Sequence, residues 1–245
     1  MAQAEWRRVA GLRVVVSWPD SRFAPPVDAQ PMRTLRALLA GFGGVLLILT
    51  GILAVGVVLS IQRHAPQPGQ SAAGALGPDA RGPWLRRSPP VSVDIPAIGV
   101  DSKLLHLGDN ANGTVQVPPL TAKVSRAAWY KYSPTPGQIG ASVIEGHVDT
   151  RAGPAIFFRL GALRPGDRVY VHLADGVTAI FRVTGVREYL KSRFPAKIIY
   201  GRTNYAALHL ITCGGSFDYV TGHYLSSTVV FATLTSAHRT GHHGS

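Results

Sequence analysis

The sequence predicts a mainly β protein, in which one β-barrel-like domain with short helical turns follows a single transmembrane helix. The prediction rests on an apolar run at residues 37–61, a Pro/Gly-rich stretch at residues 62–90 and short β-rich runs within residues 91–235. The 245-residue chain has one cysteine, which excludes a scaffold held by disulfides within the chain. Its formal charge of +12 favours an anionic partner.

The apolar run at residues 37–61 has 25 positions without a charge. As a helix it spans roughly 37 Å, more than the bilayer core of about 30 Å, and it is too long for a cleaved secretory signal. We therefore expect a retained signal anchor. A helix buried in a protein core is the alternative, which a run apolar on every face disfavours.

The flanking charges predict the orientation of this span. Six arginines precede it, at positions 7, 8, 13, 22, 33 and 36. The positive-inside rule then keeps residues 1–36 in the cytoplasm and sends the later residues outside, although four arginines within residues 62–90 weaken the asymmetry. We expect a single-pass protein of the cell membrane with an extracellular domain. Met32 opens a string typical of a signal anchor, so Met1 and Met32 are both candidate starts.

The segments on either side of the β-rich region are predicted to lie outside its fold. Residues 62–90 contain six prolines and four glycines and are expected to form a semi-extended linker. Residues 236–245 are expected to form a polar tail, whose histidines are surface residues rather than metal ligands. No metal and no cofactor is predicted.

Alternation of apolar and polar residues predicts the strands of the domain. Val169, Val171 and Leu173 share one face of the run RVYVHL, and Asp175-Gly176 supplies a hairpin turn before TAIFRV. Further strands are expected at VSVDI, SVIEG, ALHLITC and TVVFATL. Short helical turns are expected at PAIFFRL and FPAKIIYG.

Cys213 is the candidate nucleophile. It is expected to end the strand ALHLITC before the glycines Gly214 and Gly215, which allow a close approach of backbone or substrate. A buried structural thiol is the alternative, since free cysteine is often a core residue. An unpaired thiol in an exported domain favours the reactive role.

A thiol with a pKa near 8.5 needs a base or a cation to act as a nucleophile at neutral pH. His147, in the string EGHVD, follows an apolar strand and a glycine and is the preferred partner. His223, ten residues after the cysteine, is a competitor. Glu145 and Asp149 flank His147, and we expect them to form a solvated rim.

The strings WYKYSPTPG, SVIEGHVDTRAGPAIFFRLGALRPGD and LHLITCGGSFDYVTGHY resemble those of sortases, the membrane-anchored cysteine transpeptidases of Gram-positive cell surfaces. The resemblance covers residues 93–234 and is greatest to the class E and class F enzymes of actinobacteria. It implies an eight-stranded barrel with Cys213 as nucleophile and His147 as acid/base partner.

The resemblance also implies the reaction and its partners. The thiolate attacks the Thr carbonyl of an LPxTG-like sorting signal on a surface protein, and a thioacyl enzyme forms. A peptidoglycan precursor or stem-peptide amine then resolves this intermediate, which leaves a protein attached to the cell wall. Neither a metal nor a cofactor takes part.

One position departs from the family pattern. Sortases usually carry an arginine on the strand after the cysteine, whereas here Ser227 occupies the expected place and no Lys or Arg occurs between Cys213 and Arg239. Arg126 or Arg202 could reach in from elsewhere, His223 could donate the hydrogen bond, or the domain could be catalytically weakened. The last case would make the protein a sortase-like binding module of the cell envelope.

Two other functional classes are disfavoured. An L,D-transpeptidase would carry a histidine-glycine-cysteine string, which this chain lacks. Nucleic acid binding fits poorly with export and with basic residues scattered among the strands.

Overall fold

A computed structural model describes residues 65–75, 82–119 and 125–239. The predicted membrane span at residues 37–61 and the basic segment at residues 1–36 lie outside these ranges. Within the ranges, no helix is long and apolar enough to cross a membrane.

The described chain is mainly β-structure with short helices. Its strands are β1 (Pro90–Ile95), β2 (Val100–Lys103), β3 (Leu105–Leu107), β4 (Ala128–Tyr130), β5 (Gly140–Glu145), β6 (Asp149–Thr150), β7 (Gly153–Pro154), β8 (Arg168–Leu173), β9 (Val177–Leu190), β10 (Ala206–Asp218) and β11 (His223–Arg239). Four 3-10 helices lie at Gln70–Ala72, Pro96–Ile98, Leu160–Ala162 and Lys191–Arg193, and helix α1 spans Ala196–Ile199. The helical turn predicted within FPAKIIYG is confirmed, whereas the 3-10 helix at Leu160–Ala162 overlaps PAIFFRL only at its last residue.

The main sheet forms a nearly closed barrel with the strand order β2-β1-β8-β9-β11-β10-β5-β4-β3, and β6 pairs with β7 separately. Neighbours pair antiparallel except for β5 with β10 and β3 with β4, which are parallel. The predicted count of eight strands is wrong, because the described residues form nine in the main sheet. One reason is the run VSVDIPAIGVD: Pro96 starts a 3-10 helix and Gly99 adopts φ 68°, so the run folds back into the paired strands β1 and β2.

The central strand β10 separates two apolar clusters. Leu208 and Leu210 point into the larger cluster, which includes Phe157 and Phe181. Ile211 points to the other face, where a second cluster contains Tyr130, Val143, Ile199, Val229 and Phe231. Because side chains alternate along a strand, Cys213 belongs to the face of Ile211.

The observed strand β8 matches its predicted run, whereas β11 is longer than its apolar run. The strand predicted at RVYVHL is confirmed as β8, and the Asp175-Gly176 turn connects it to β9. Strand β11 continues to Arg239 through pairing with β9, so it includes residues 236–239 of the predicted tail. Backbone pairing carries β11 beyond the point at which the apolar pattern ends.

Part of the predicted linker packs against the barrel. Ala72 is fully buried in the main core, and the carbonyl of Gly74 accepts a hydrogen bond of 3.0 Å from Nη2 of Arg187. Gly161 allows a close approach of this segment, because a Cβ there would lie 2.0 Å from the carbonyl oxygen of Pro66. Residues 65–75 are therefore part of the folded domain.

Candidate active site

Cys213 lies in β10, between β5 and β11. Cys213 pairs with Ser227 on β11. The Cys213 side chain is 5% exposed and packs in a small cluster with Ala65 and Val148. The prediction that the strand ends at Cys213 is wrong. Pairing with β11 continues to Asp218 past an irregularity after Gly214. Gly214 pairs with Ser226, and Gly215 lies in a bulge within the strand rather than in a loop after it.

His147 lies just after the end of β5, the strand next to β10. Glu145 pairs with Ile211 in parallel register, and the amide of Gly146 donates 3.1 Å to the carbonyl of Ile211. Two residues farther along both chains, this register places His147 at the level of Cys213, and adjacent strands lie about 4.8 Å apart. Val148 packs in the cluster of the cysteine. The fold therefore brings together the two predicted site residues.

A hydrogen bond to the backbone orients the His147 ring. Nε2 donates 2.6 Å to the carbonyl of Pro118, which can only accept, so Nε2 carries the proton of the neutral ring. Gly146 provides the space for this turn, because a Cβ there would lie 2.6 Å from Cδ2 of Phe157. The basic lone pair of the neutral ring is therefore on Nδ1.

Burial keeps both groups neutral at pH 7. It raises the pKa of the Cys213 thiol to about 12, while Lys191 acts in the opposite direction. Burial also lowers the pKa of His147, against opposing effects of the Pro118 carbonyl and the Asp149 charge. The thiol and imidazole forms dominate, and the thiolate with imidazolium is a minor species.

Lys191 is the residue that the sequence analysis missed. It follows β9, and its positive charge lowers the pKa of the Cys213 thiol against the effect of burial. The family pattern places the cation after the cysteine, whereas Lys191 precedes the cysteine in the chain. Only the pairing of β9 with β11, and of β11 with β10, brings this cation to the thiol.

The three previously considered hydrogen-bond donors lie elsewhere. Nε and Nη2 of Arg126 donate to the carbonyls of Lys103 and Leu104, at the edge formed by β2 and β3. Arg202 is exposed after α1. His223 pairs with Asp218, four residues along β11 from Ser227, which corresponds to roughly 13 Å. None of the three is placed beside Cys213 by these contacts.

Asp149 and Tyr224 complete the polar side of the site. The hydroxyl of Tyr224 donates to Oδ2 of Asp149, and Tyr224 packs in the cluster of Cys213. The Asp149 charge acts on both His147 and Cys213, raising the pKa of each. No group of three or more metal-binding side chains occurs within residues 65–75, 82–119 and 125–239.

Glu145 is buried rather than part of a solvated rim, so this prediction is wrong. Only 2% of it is exposed, because every residue of β5 is covered. Oε1 accepts 2.7 Å from the Tyr200 hydroxyl, whereas Oε2 has no hydrogen-bond partner among the described residues. Burial raises the pKa of Glu145 to about 7, and the Tyr200 hydrogen bond opposes this change.

Because the carboxyl of Glu145 is buried, we expect the stability of the fold to depend on pH. The pKa of Glu145 is near 7 in the folded chain and about 4.5 in the unfolded chain, so its contribution is present below pH 4.5 and is lost as the pH rises through 7. Between pH 4 and pH 8 the wild type should lose about 3 kcal/mol of unfolding free energy relative to Glu145→Gln.

Urea unfolding at both pH values measures this difference. Asp101→Asn, which removes an exposed carboxylate in β2, serves as the control and should follow the wild type. If the unfolding free energies of the wild type and Glu145→Gln changed equally between the two pH values, the prediction would be contradicted.

Comparison with known proteins identifies the family. Residues 93–235 match the profile described as Sortase domain, so this chain belongs to the sortase family. The predicted resemblance is confirmed at this level, and the family implies a cysteine transpeptidase. No curated protein matches the sequence.

Solved sortase structures are similar to this chain. The lid mutant of sortase A from Corynebacterium diphtheriae is 21% identical, with a TM-score of 0.46, over 62% of this chain and 73% of that chain. Sortase A from Listeria monocytogenes is 16% identical, with a TM-score of 0.46, over 64% and 93%. Sortase C1 from Streptococcus agalactiae is 17% identical, with a TM-score of 0.45, over 59% and 66%.

Proposed function

We propose that this protein is a membrane-anchored sortase that cleaves an LPxTG-like sorting signal and transfers the surface protein to a cell-wall amine. The observation that carries the proposal is that His147 lies just beyond the end of β5, next to the part of β10 that carries Cys213, in a sortase domain. A thiol and an imidazole in this arrangement are the groups that acyl transfer through a thioester requires.

The reaction begins with a proton transfer. His147 takes the thiol proton, and the Cys213 sulfur attacks the carbonyl carbon of the signal threonine. The imidazolium of His147 then protonates the departing glycine amine as the C–N bond breaks, which leaves a thioester on Cys213. A wall amine attacks the thioester, gives a proton to His147 and forms a new amide, and the thiol is restored.

The surroundings of His147 support its acid/base role. The Pro118 carbonyl holds the ring through Nε2, and Asp149 supplies a negative charge that favours the imidazolium. Tyr224 holds the Asp149 carboxylate. This arrangement leaves Nδ1 as the ring nitrogen that accepts the thiol proton.

The proposal includes the location of the domain. Residues 37–61 anchor the chain in the cell membrane with residues 1–36 in the cytoplasm, and the domain acts outside a Gram-positive cell. The motifs at His147 and Cys213 support placement with the class E and class F enzymes of actinobacteria. The acceptor is an amine of a peptidoglycan precursor or stem peptide.

Trapping of the thioester tests the function. The full-length chain, purified in detergent, is incubated with LPxTG and LAxTG peptides and analysed by mass spectrometry. We expect a mass increase on Cys213 equal to the acyl fragment, which hydroxylamine releases. Binding of a peptide without any adduct would replace the enzymatic proposal with the envelope-binding module.

A further inference from the structure

One face of the sheet carries a continuous row of residues across three strands. Cys213 of β10 pairs with Ser227 of β11, and Ser227 pairs with Tyr189 of β9. Directly opposed residues in a sheet point to the same face. Lys191 lies two residues after Tyr189, and the intervening Leu190 is extended at φ −57° and ψ 133°. Lys191 therefore continues the face that carries the cysteine.

Ser227 lies between Cys213 and Tyr189 in this row, and its side chain is small. Two strand spacings separate β9 and β10 by about 9.6 Å, and an extended lysine side chain covers most of that distance. Ser227 is 1% exposed and lies between the two strands. A bulky residue at this place would block the route that Lys191 takes to the thiol.

We propose that Lys191 is a catalytic residue of this protein, which donates a hydrogen bond from its ammonium to the Cys213 sulfur and stabilises the thiolate. This inference rests on the proposed function, and it assigns to β9 the cation that the family pattern places on the strand after the cysteine. Ser227 and Lys191 thus act as a pair, because the serine leaves the space that the lysine crosses.

The ammonium acts without giving up a proton. The thiol proton moves to His147, while the N–H of Lys191 stays bonded to the lysine and faces the sulfur as negative charge develops there. When the acyl group is transferred to the amine, the sulfur leaves as a thiolate and the same hydrogen bond stabilises it. No covalent bond to Lys191 forms or breaks.

The other charged groups around the thiol oppose the effect of Lys191 on the pKa of Cys213. Asp149 and Glu145 raise the pKa of Cys213, and burial raises it more than either. His147 and Tyr224 also belong to this site. Against these groups, Lys191 is the charge that lowers the pKa of the thiol. Its removal should therefore leave a thiol that ionises less readily.

The first test measures the thiol without any substrate. Iodoacetamide alkylation of the full-length chain is followed across pH for the wild type, Lys191→Met and Lys191→Arg. Loss of an adjacent cation should raise the apparent thiol pKa by about one unit or more. Alkylation at pH 7.5 should then slow about threefold per unit, because a more basic thiolate is also more nucleophilic.

Lys191→Arg should retain most of the wild-type rate because it keeps the charge. The matched control is Arg193→Ala, which removes an exposed positive charge from the same 3-10 helix and should leave the profile unchanged. Thermal unfolding checks that each variant folds, and Lys191→Gln replaces Lys191→Met if the latter does not.

The second test measures acylation by the peptide that the wild type accepts. Lys191→Met should lower kcat/KM by about tenfold or more, with a pH profile displaced to higher pH. A neutral variant that alkylates and acylates like the wild type would overturn the role of Lys191 and leave the proposed function intact. A Lys191-dependent thiol that no sorting peptide acylates would instead overturn the proposed function.

Discussion

Replacement of Cys213 by alanine is expected to lower transpeptidation by about a millionfold, to the background rate, as removal of an enzymatic nucleophile does. The chain has no second cysteine that could substitute for it. The sulfur is buried in a small apolar cluster, so alanine should preserve the fold. The ligation product of a sorting peptide and an amine, quantified by mass spectrometry, measures the effect.

Cys213→Ser is the matched variant, because it keeps the size of the side chain. It should be as inactive as alanine, since burial disfavours ionisation of a hydroxyl even more than that of a thiol. A rate of product formation above about one thousandth of the wild-type rate, by either folded variant, would contradict a covalent route through Cys213.

His147→Ala is expected to lower kcat/KM by about 10³-fold, within the range for the loss of a positioned acid/base group. The proposed mechanism uses the imidazole twice, first to accept the thiol proton and then to protonate the leaving amine. The remaining activity should rise with pH, because the thiol must then ionise without a neighbouring base. Single-turnover acylation at several pH values measures this change.

His223→Ala provides the control for this prediction. His223 lies in the β10–β11 hairpin beside Asp218, so its variant should keep most of the activity. An equal loss in both variants would show that the acid/base role is not specific to His147. A normal rate for His147→Ala at neutral pH would remove His147 from the mechanism.

The strands that the sequence predicts well are those with one covered face. In β8, apolar and polar residues alternate and a turn follows at once, so the bounds of RVYVHL are recovered. Cys213 and His147 could also be selected as candidates, because each comes at the end of an apolar run and adjoins a glycine. Local pattern is sufficient where burial alternates and where glycine marks a change of direction.

Other features depend on contacts between distant segments. Every residue of β5 is buried, so alternation does not predict the environment of Glu145. The extension of β10 past Cys213 depends on its pairing with β11. The proposed position of Lys191 near the thiol depends on the register of three strands, and no local string indicates that register.

The high pKa of Cys213 also affects the chemical lifetime of the sulfur. Peroxide converts a cysteine to sulfenic acid through the thiolate, and further oxidation to sulfinic and sulfonic acids is largely irreversible. Burial keeps Cys213 protonated, and Ala65 and Val148 cover it, so oxidants encounter little of the susceptible form.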